Sequence, residues 1–162
     1  MISSLLYFIF PALMAFAASY DCLSLRISNT LCLTIAGAFF PAAILIGLPA
    51  GEILAHLGCA GAMLSLGFAL FAMGWVGGGD AKLFGAAALW FGWERIASFG
   101  IAVTIAGGLL ALAVLLLRAL SEHPLFPFGR MPARPELPYA VALAAGALIV
   151  YPQSLWAIGH FS

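Results

Sequence analysis

Long apolar runs separated by short polar stretches make up most of the chain. A helix that crosses ~30 Å of hydrocarbon needs about 20 apolar residues, and most of these runs approach or exceed that length. The pattern therefore predicts membrane-spanning helices rather than the elements of a soluble core. The six runs are Ile2–Tyr20, Thr30–Leu48, Ile53–Val76, Ala81–Trp93, Ile96–Leu117 and Pro138–Ala157.

The longest stretch between two runs, Ser121–Leu137, contains four prolines. Proline inside a helix removes a backbone donor and clashes with the preceding turn, so this stretch is predicted to be a loop. Residues 1–20 lack the positively charged start of a secretory signal, and the first run is expected to be a retained helix. We expect one domain over residues 1–162, an all-α polytopic membrane bundle of about six transmembrane helices.

The composition changes this picture little but excludes other classes of protein. Hydrophobic residues make up 65% and charged residues 7% of the chain, and the mean hydropathy is +1.15. A soluble domain carries roughly 25% charged residues, and a disordered chain is polar, so both classes are excluded. The net charge of zero offers no electrostatic footprint for nucleic acid. The lipid bilayer is an expected partner, and the oligomeric state stays open.

Positive charges predict the orientation, because cytoplasmic loops carry the excess of Lys and Arg. If all six runs cross the membrane, one side holds five cations and the other holds only Arg95. If the short fourth run were re-entrant, the division would be three against three. Six crossings with both termini outside is therefore the better topology. The five cations on the predicted cytoplasmic side are Arg26, Lys82, Arg118, Arg130 and Arg134.

The chain contains two aspartates, Asp21 at the end of the first run and Asp80 at the start of the fourth. The predicted topology places both on the cytoplasmic side. Either one alone could simply mark a helix end, since an acidic residue suits a helix N-terminus. Together they favour a function, because two neighbouring carboxylates share a proton. One can then take a proton from water while the other polarises a peptide carbonyl, which is aspartic peptidase chemistry without metal or cofactor.

The residues around Asp80 add to this hypothesis. Gly77, Gly78 and Gly79 precede it, and glycine lets a backbone approach an extended substrate closely, although a glycine run also makes a plain interhelical turn. Lys82 follows two positions later. It could bias the ionisation of the carboxylates or meet an acidic group of the substrate. Alternatively, it could reach the headgroups and anchor the helix.

The histidine, cysteine and tryptophan side chains indicate structural roles rather than a catalytic one. Neither the histidines nor the cysteines show ligand-like spacing, so no metal site and no disulfide framework are expected. The tryptophans lie near predicted helix ends and are expected to form an interfacial aromatic belt. These residues are His56, His123 and His160; Cys22, Cys32 and Cys59; and Trp75, Trp90, Trp93 and Trp156.

Three stretches resemble the type IV prepilin peptidases, which are membrane-embedded aspartyl peptidases. Residues 77–83, Gly-Gly-Gly-Asp-Ala-Lys-Leu, fit the G-x-G-D-x-K-L motif. Asp21, with Arg26-Ile27 and Asn29 downstream, is similar to the D-x5-I-P-N stretch. Residues 137–140, Leu-Pro-Tyr-Ala, followed by Gly146, resemble the start of the last helix.

The resemblance implies a role for each matched residue. Asp21 and Asp80 would be the catalytic pair, and Gly77, Gly79 and Lys82 would be motif residues beside the substrate backbone. The chain lacks the two C-x-x-C pairs of the larger enzymes and resembles the short, peptidase-only TadV/CpaA type of tight-adherence pilus systems.

Two positions depart from the family pattern. Ser28 stands where Pro is usual and is expected to cap the second helix. Leu23 stands where Arg is common, which leaves that part of the rim less basic.

The resemblance thus implies an aspartic endopeptidase of the bacterial inner membrane. It would cleave the leader peptide of Flp-type prepilins or pseudopilins at the cytoplasmic face, for type IV pilus assembly and protein secretion. One alternative is an intramembrane protease like presenilin or signal peptide peptidase, although Pro11-Ala12-Leu13 precedes both aspartates, whereas those enzymes carry this motif after them. The other is a non-enzymatic transporter or pilus-assembly protein.

Overall fold

The computed structural model describes residues 2–24, 27–121, 137–154 and 156, and this part of the chain is helical with no strand. Residues 122–136 of the predicted loop Ser121–Leu137 lie outside the described part, as does Arg26. Four of the helices each correspond to one apolar run and α4 covers two, which confirms the all-α prediction. The helices are α1 (Ile2–Ser24), α2 (Asn29–Leu45), α3 (Ala50–Ala72), α4 (Gly78–Ser121) and α5 (Tyr139–Val150), which a 3-10 turn (Tyr151–Gln153) follows.

Helix α4 joins the fourth and fifth runs, but it is broken at Gly92, whose φ of 58° and ψ of −171° are not helical. The rings of Phe84 and Phe99 stack with centroids 5.3 Å apart. In a straight helix these residues would be separated by roughly 22 Å along the axis. The first segment, residues 78–91, therefore folds back against the second, residues 93–121.

The side chain of His56 from α3 occupies the space at this break. A Cβ at Gly92 would lie 2.8 Å from the His56 ring, so the position requires glycine for space as well as for its positive φ. His56 Nδ1 lies 2.7 Å from the carbonyl oxygen of Leu89, in the last turn before the break. His56 is thus buried in a structural role.

Helices α1 and α5 run in opposite directions, because Asp21 meets Ala140 and Phe10 meets Tyr151. The ring of Phe10 also stacks on Trp90, with centroids 4.9 Å apart. These aromatic contacts join α1, α5 and the first segment of α4 into one core.

Two of the four tryptophans belong to this core, so the predicted aromatic belt is wrong for them. Trp90 is 1% exposed and Trp156 is 6% exposed. The Trp90 indole donates to the carbonyl oxygen of Ile35 at 2.9 Å, and the Trp156 indole donates to that of Trp90 at 2.7 Å. Because the indole N–H groups find backbone acceptors, both side chains can be buried. Trp75 and Trp93 are exposed.

Small residues bring the helices of the bundle close together. A Cβ at Gly67 would lie 3.0 Å from the Cβ of Ala81, where α3 crosses the start of α4. A Cβ at Gly146 would lie 2.8 Å from the backbone nitrogen of Val103, where α5 crosses the second segment of α4. Such close approach is how helices gain packing energy in lipid. It fixes the start of α4 against α3 and the later part of α5 against the second segment of α4.

Three helices in the described part of the chain are long and apolar enough to cross a membrane, over Tyr7–Ser24, Ala50–Ala72 and Gly78–Leu120. The helices over Asn29–Leu45 and Tyr139–Gln153 are apolar but shorter. The protein is therefore a polytopic membrane helix bundle. The predicted number of about six corresponds to helical segments, counting the two halves of α4 separately.

Candidate active site

The two aspartates meet at one end of the bundle. Asp21 lies in the last turn of α1 and Asp80 in the first turn of α4, close enough for their charges to interact. The Asp21 side chain is 5% exposed, whereas Asp80 is half-buried. The structure thus brings together the carboxylates that the sequence places 59 positions apart.

Asp21 is held by the N-terminus of another helix. The backbone N–H of Ala140, in the first turn of α5, donates to Asp21 Oδ2 at 3.1 Å. The first N–H groups of a helix have no intrahelical acceptor, and they carry the positive end of the helix dipole. The buried Asp21 carboxylate therefore supplies an acceptor for one of the N–H groups at the start of α5.

Asp80 is held by its own turn. The backbone N–H of Gly77, directly before α4, interacts with the Asp80 carboxylate. A side chain that reaches back in this way is one half of a capping box. A Cβ at Gly77 would lie 2.6 Å from Asp80 Oδ2. Gly77 therefore makes room for the carboxylate at the place where Asp80 lies.

Two further contacts join the stretch after Asp21 to the stretch around Asp80. A Cβ at Gly79 would lie 3.1 Å from the Cβ of Ile27, so a side chain there would require Ile27 to shift. Lys82 Nζ donates to Asn29 Oδ1 at 2.9 Å. Within the described chain, Lys82 is hydrogen-bonded to Asn29 and to neither aspartate. The two sequence motifs thus interlock at Gly79 and Lys82 as well as through the carboxylates.

The third matched stretch, at the start of α5, also reaches the site. Tyr139 lies within electrostatic range of Asp80. Its ring packs against Gly107, where an added Cβ would lie 3.0 Å from the phenol oxygen. Sequence reasoning missed the roles of Tyr139 and of the Ala140 N–H. The available signal was Pro138, which marks where a helix with unpaired N–H groups begins.

The two departures from the family pattern affect the rim of the site. Ser28 caps α2, because its Oγ accepts a hydrogen bond from the backbone N–H of Leu31 at 3.2 Å. This confirms the expected cap. Leu23 is 89% exposed near the end of α1, so that part of the rim is apolar.

The part of the chain that the structure describes holds no candidate metal centre. In the described residues, no group of three or more His, Cys, Asp or Glu side chains could hold a metal ion. His123 and His160 lie outside that part of the chain. Cys22, Cys32 and Cys59 are free thiols.

Comparison with known proteins gives one match. The sequence model of the type IV leader peptidase family matches residues 8–115, about two thirds of the chain. The match includes both aspartates and the glycines before Asp80, while Tyr139 and Ala140 lie beyond it. No curated protein and no solved structure matches the chain.

Proposed function

The chain belongs to the type IV leader peptidase family, and on this premise we propose that it is an aspartic endopeptidase whose catalytic residues are Asp21 and Asp80. One observation carries the proposal: segments that are far apart in the sequence converge to hold these two carboxylates together at one end of the bundle. The contacts of Gly79 with Ile27 and of Lys82 with Asn29 also join the two stretches that carry the aspartates. Two aspartates that only marked helix ends would not need such contacts.

In the proposed reaction the pair shares one proton. The ionised carboxylate takes a proton from water as the water oxygen attacks the scissile carbonyl carbon. The protonated carboxyl donates to the carbonyl oxygen, and the amine leaves with a proton when the tetrahedral intermediate collapses. Gly77 and Gly79 act as positioning residues, because a side chain at either position would displace Asp80 or Ile27.

The proposed substrate is the leader peptide of an Flp-type prepilin or pseudopilin, cleaved during type IV pilus assembly and protein secretion. The proposed location is the cytoplasmic face of the bacterial inner membrane. Two of the three described Lys and Arg residues support this orientation. Lys82 lies at the end of α4 that carries Asp80, and Arg118 lies on the same side because the second segment of α4 returns past Tyr139. Arg95 follows the break on the opposite side. The protein would act as a single membrane domain over residues 1–162, as the short tight-adherence type does.

Co-expression with an Flp-type prepilin tests this function. The host should lack a prepilin peptidase of its own, and the mass of the pilin is read for the parent chain, Asp21→Asn and Asp80→Asn. We expect loss of the leader with the parent chain only, at equal membrane levels of the three proteins. Equal processing by all three would contradict the catalytic pair. An intact leader with the parent chain would contradict the proposed substrate.

A further inference from the structure

An apolar groove of about 600 Å³ lies between α2, α3 and the first segment of α4. Along α2 it extends from Asn29 to Phe40, which is about three helical turns or ~16 Å. Small residues line its centre, and in a membrane such residues allow the backbone of another helix to approach closely. These residues are Ala36, Ala60, Gly61, Gly85 and Ala86.

One end of the groove is polar and lies beside the proposed catalytic pair. Lys82 and Asn29 both line it, and Lys82 is the one charged residue among the described residues that do so. Cys32, in the same wall, lies within electrostatic range of both Lys82 and Asp80. A chain that lies in this groove therefore reaches Asp80 as it leaves the polar end.

We propose that this substrate groove holds the hydrophobic helix that follows the scissile bond, and that Lys82 pairs with an acidic side chain in the first turn of that helix. The inference rests on the function proposed above and adds to it the docking surface and a charge requirement on the substrate. The groove is long enough for about three turns of such a helix.

Charge complementarity leads to the acidic side chain. The N-terminus of a helix carries unpaired N–H groups and partial positive charge. Placed against the ammonium group of Lys82, this end alone would be repelled. An acidic side chain in its first turn offsets both positive charges. The acidic side chain can also accept a hydrogen bond from Lys82. The ammonium group of Lys82 has three N–H donors, and Asn29 uses one of them.

The second large groove of the molecule lacks these features. It has a volume of about 750 Å³ and lies between the second segment of α4 and α5. None of its described lining residues is charged, and its polar residues, Ser98 and Gln153, lie away from the end of α5 that meets Asp21. Nothing in the lining of this groove distinguishes a peptide helix from lipid chains. We therefore assign the substrate helix to the groove that contains Lys82.

A charge exchange tests the pairing. The probe is an Flp-type prepilin with one glutamate in the first turn of its mature hydrophobic helix. We expect Lys82→Glu in the enzyme, or lysine for that glutamate in the prepilin, to lower kcat/KM at least about tenfold, mainly by raising KM. Combining the two changes should restore most of the loss, and Lys82→Arg should retain more activity than Lys82→Glu. Additive losses in the combined pair would overturn the pairing.

Filling the groove tests the docking surface. A Cβ at Gly61 meets nothing within 4 Å, so the side chain of Gly61→Leu starts in open space and projects into the groove. The matched control is Gly37→Leu on α2, which also has open space and does not line the groove. We expect Gly61→Leu to raise KM about tenfold and Gly37→Leu to change it less than about twofold. Equal effects of the two variants, or none from Gly61→Leu, would overturn the groove assignment.

Cross-linking distinguishes the two grooves directly. Cysteine is placed at Gly61 or, as a control, at Ala145 in the larger groove, in a chain without its native cysteines and with Asp80→Asn to prevent cleavage. We expect Gly61→Cys to cross-link to single cysteines three or four positions apart on the prepilin helix. Cross-links through Ala145→Cys, or through neither, would overturn the proposal. Cleavage of the same prepilin by the parent chain tests the proposed function separately.

Discussion

The two aspartates of the candidate site are held in different ways. Asp80 interacts with the backbone of Gly77, three positions away, and its position follows from the first turn of its own helix. Asp21 is buried and bonded to Ala140, 119 positions away. One half of the site therefore forms with a single helix, while the other half requires that α1 and α5 are packed together.

The first prediction concerns removal of each carboxylate. Asp21→Ala and Asp80→Ala should each lower peptide cleavage by about 10³-fold, because general acid–base catalysis contributes 10²–10⁴-fold. Their effects on stability should differ. Asp21→Ala leaves the Ala140 N–H without an acceptor in a buried place, which costs about 1–3 kcal/mol. Asp80→Ala loses only a local cap interaction.

Thermal unfolding in detergent, measured beside the cleavage rate, checks this difference. We expect a clear decrease in Tm for Asp21→Ala and a small one for Asp80→Ala. Equal decreases in Tm would mean that both carboxylates depend on the assembled bundle, and the comparison between them would fail.

The second prediction tests the local half of the site. Gly77→Ala should displace the Asp80 carboxylate, because the new Cβ would lie 2.6 Å from Oδ2. A displacement of about 1 Å in a catalytic group costs ~10²-fold in rate, and a loss near that size is expected. Gly100→Ala is the matched control, since a Cβ there meets nothing within 4 Å. A Gly77→Ala enzyme with the activity of Gly100→Ala would show that Asp80 is not held by this glycine.

The same contrast explains what could be predicted of the site from the sequence. The glycines and Asp80 form one continuous motif, so their proximity follows from the chain itself. The partner of Asp21 is a backbone N–H, which any residue except proline offers, and no side chain at position 140 identifies it. Only the packing of α5 on α1 selects Ala140.

The fold could be predicted from the sequence where the pattern is local, and the prediction failed where the chain reverses direction. The apolar runs predict the helices because length and hydropathy are properties of each run. The burial of Trp90 was missed because it lies near the end of a run, where an interfacial position is usual. In the structure the helical turn before Gly92 packs inside the bundle, so Trp90 is buried, whereas Trp93, after the break, is exposed.

The third prediction tests the long-range half of the site. Ala140→Pro removes the N–H that donates to Asp21, while the first turn of a helix tolerates proline. A hydrogen bond to a charged group is worth about 1.5–3 kcal/mol, so cleavage should decrease by roughly tenfold or more. Ala140→Gly retains the N–H and is the control. Equal rates for the two variants would show that this bond does not position Asp21.

The last prediction concerns the connection between the two halves. Ile27 packs on Gly79 and Asn29 bonds to Lys82, and the Ser28 hydroxyl between them caps α2. Ser28→Ala should lower the free energy of unfolding by about 1 kcal/mol, the usual cost of losing an N-cap, without touching either carboxylate. Ser28→Thr keeps the hydroxyl and is the control.

Activity should decrease less in Ser28→Ala than in Asp21→Ala, Asp80→Ala, Gly77→Ala or Ala140→Pro. We expect a decrease of no more than about threefold, because a loss of about 1 kcal/mol at the start of α2 destabilises that helix and removes no contact of either carboxylate. The measurements are Tm and kcat/KM for both variants at position 28. If Ser28→Ala lowers kcat/KM as strongly as Ala140→Pro does, the cap of α2 positions the carboxylates. Asp21 and Asp80 would then be held by one shared support, and the division into a local and a long-range half would be wrong.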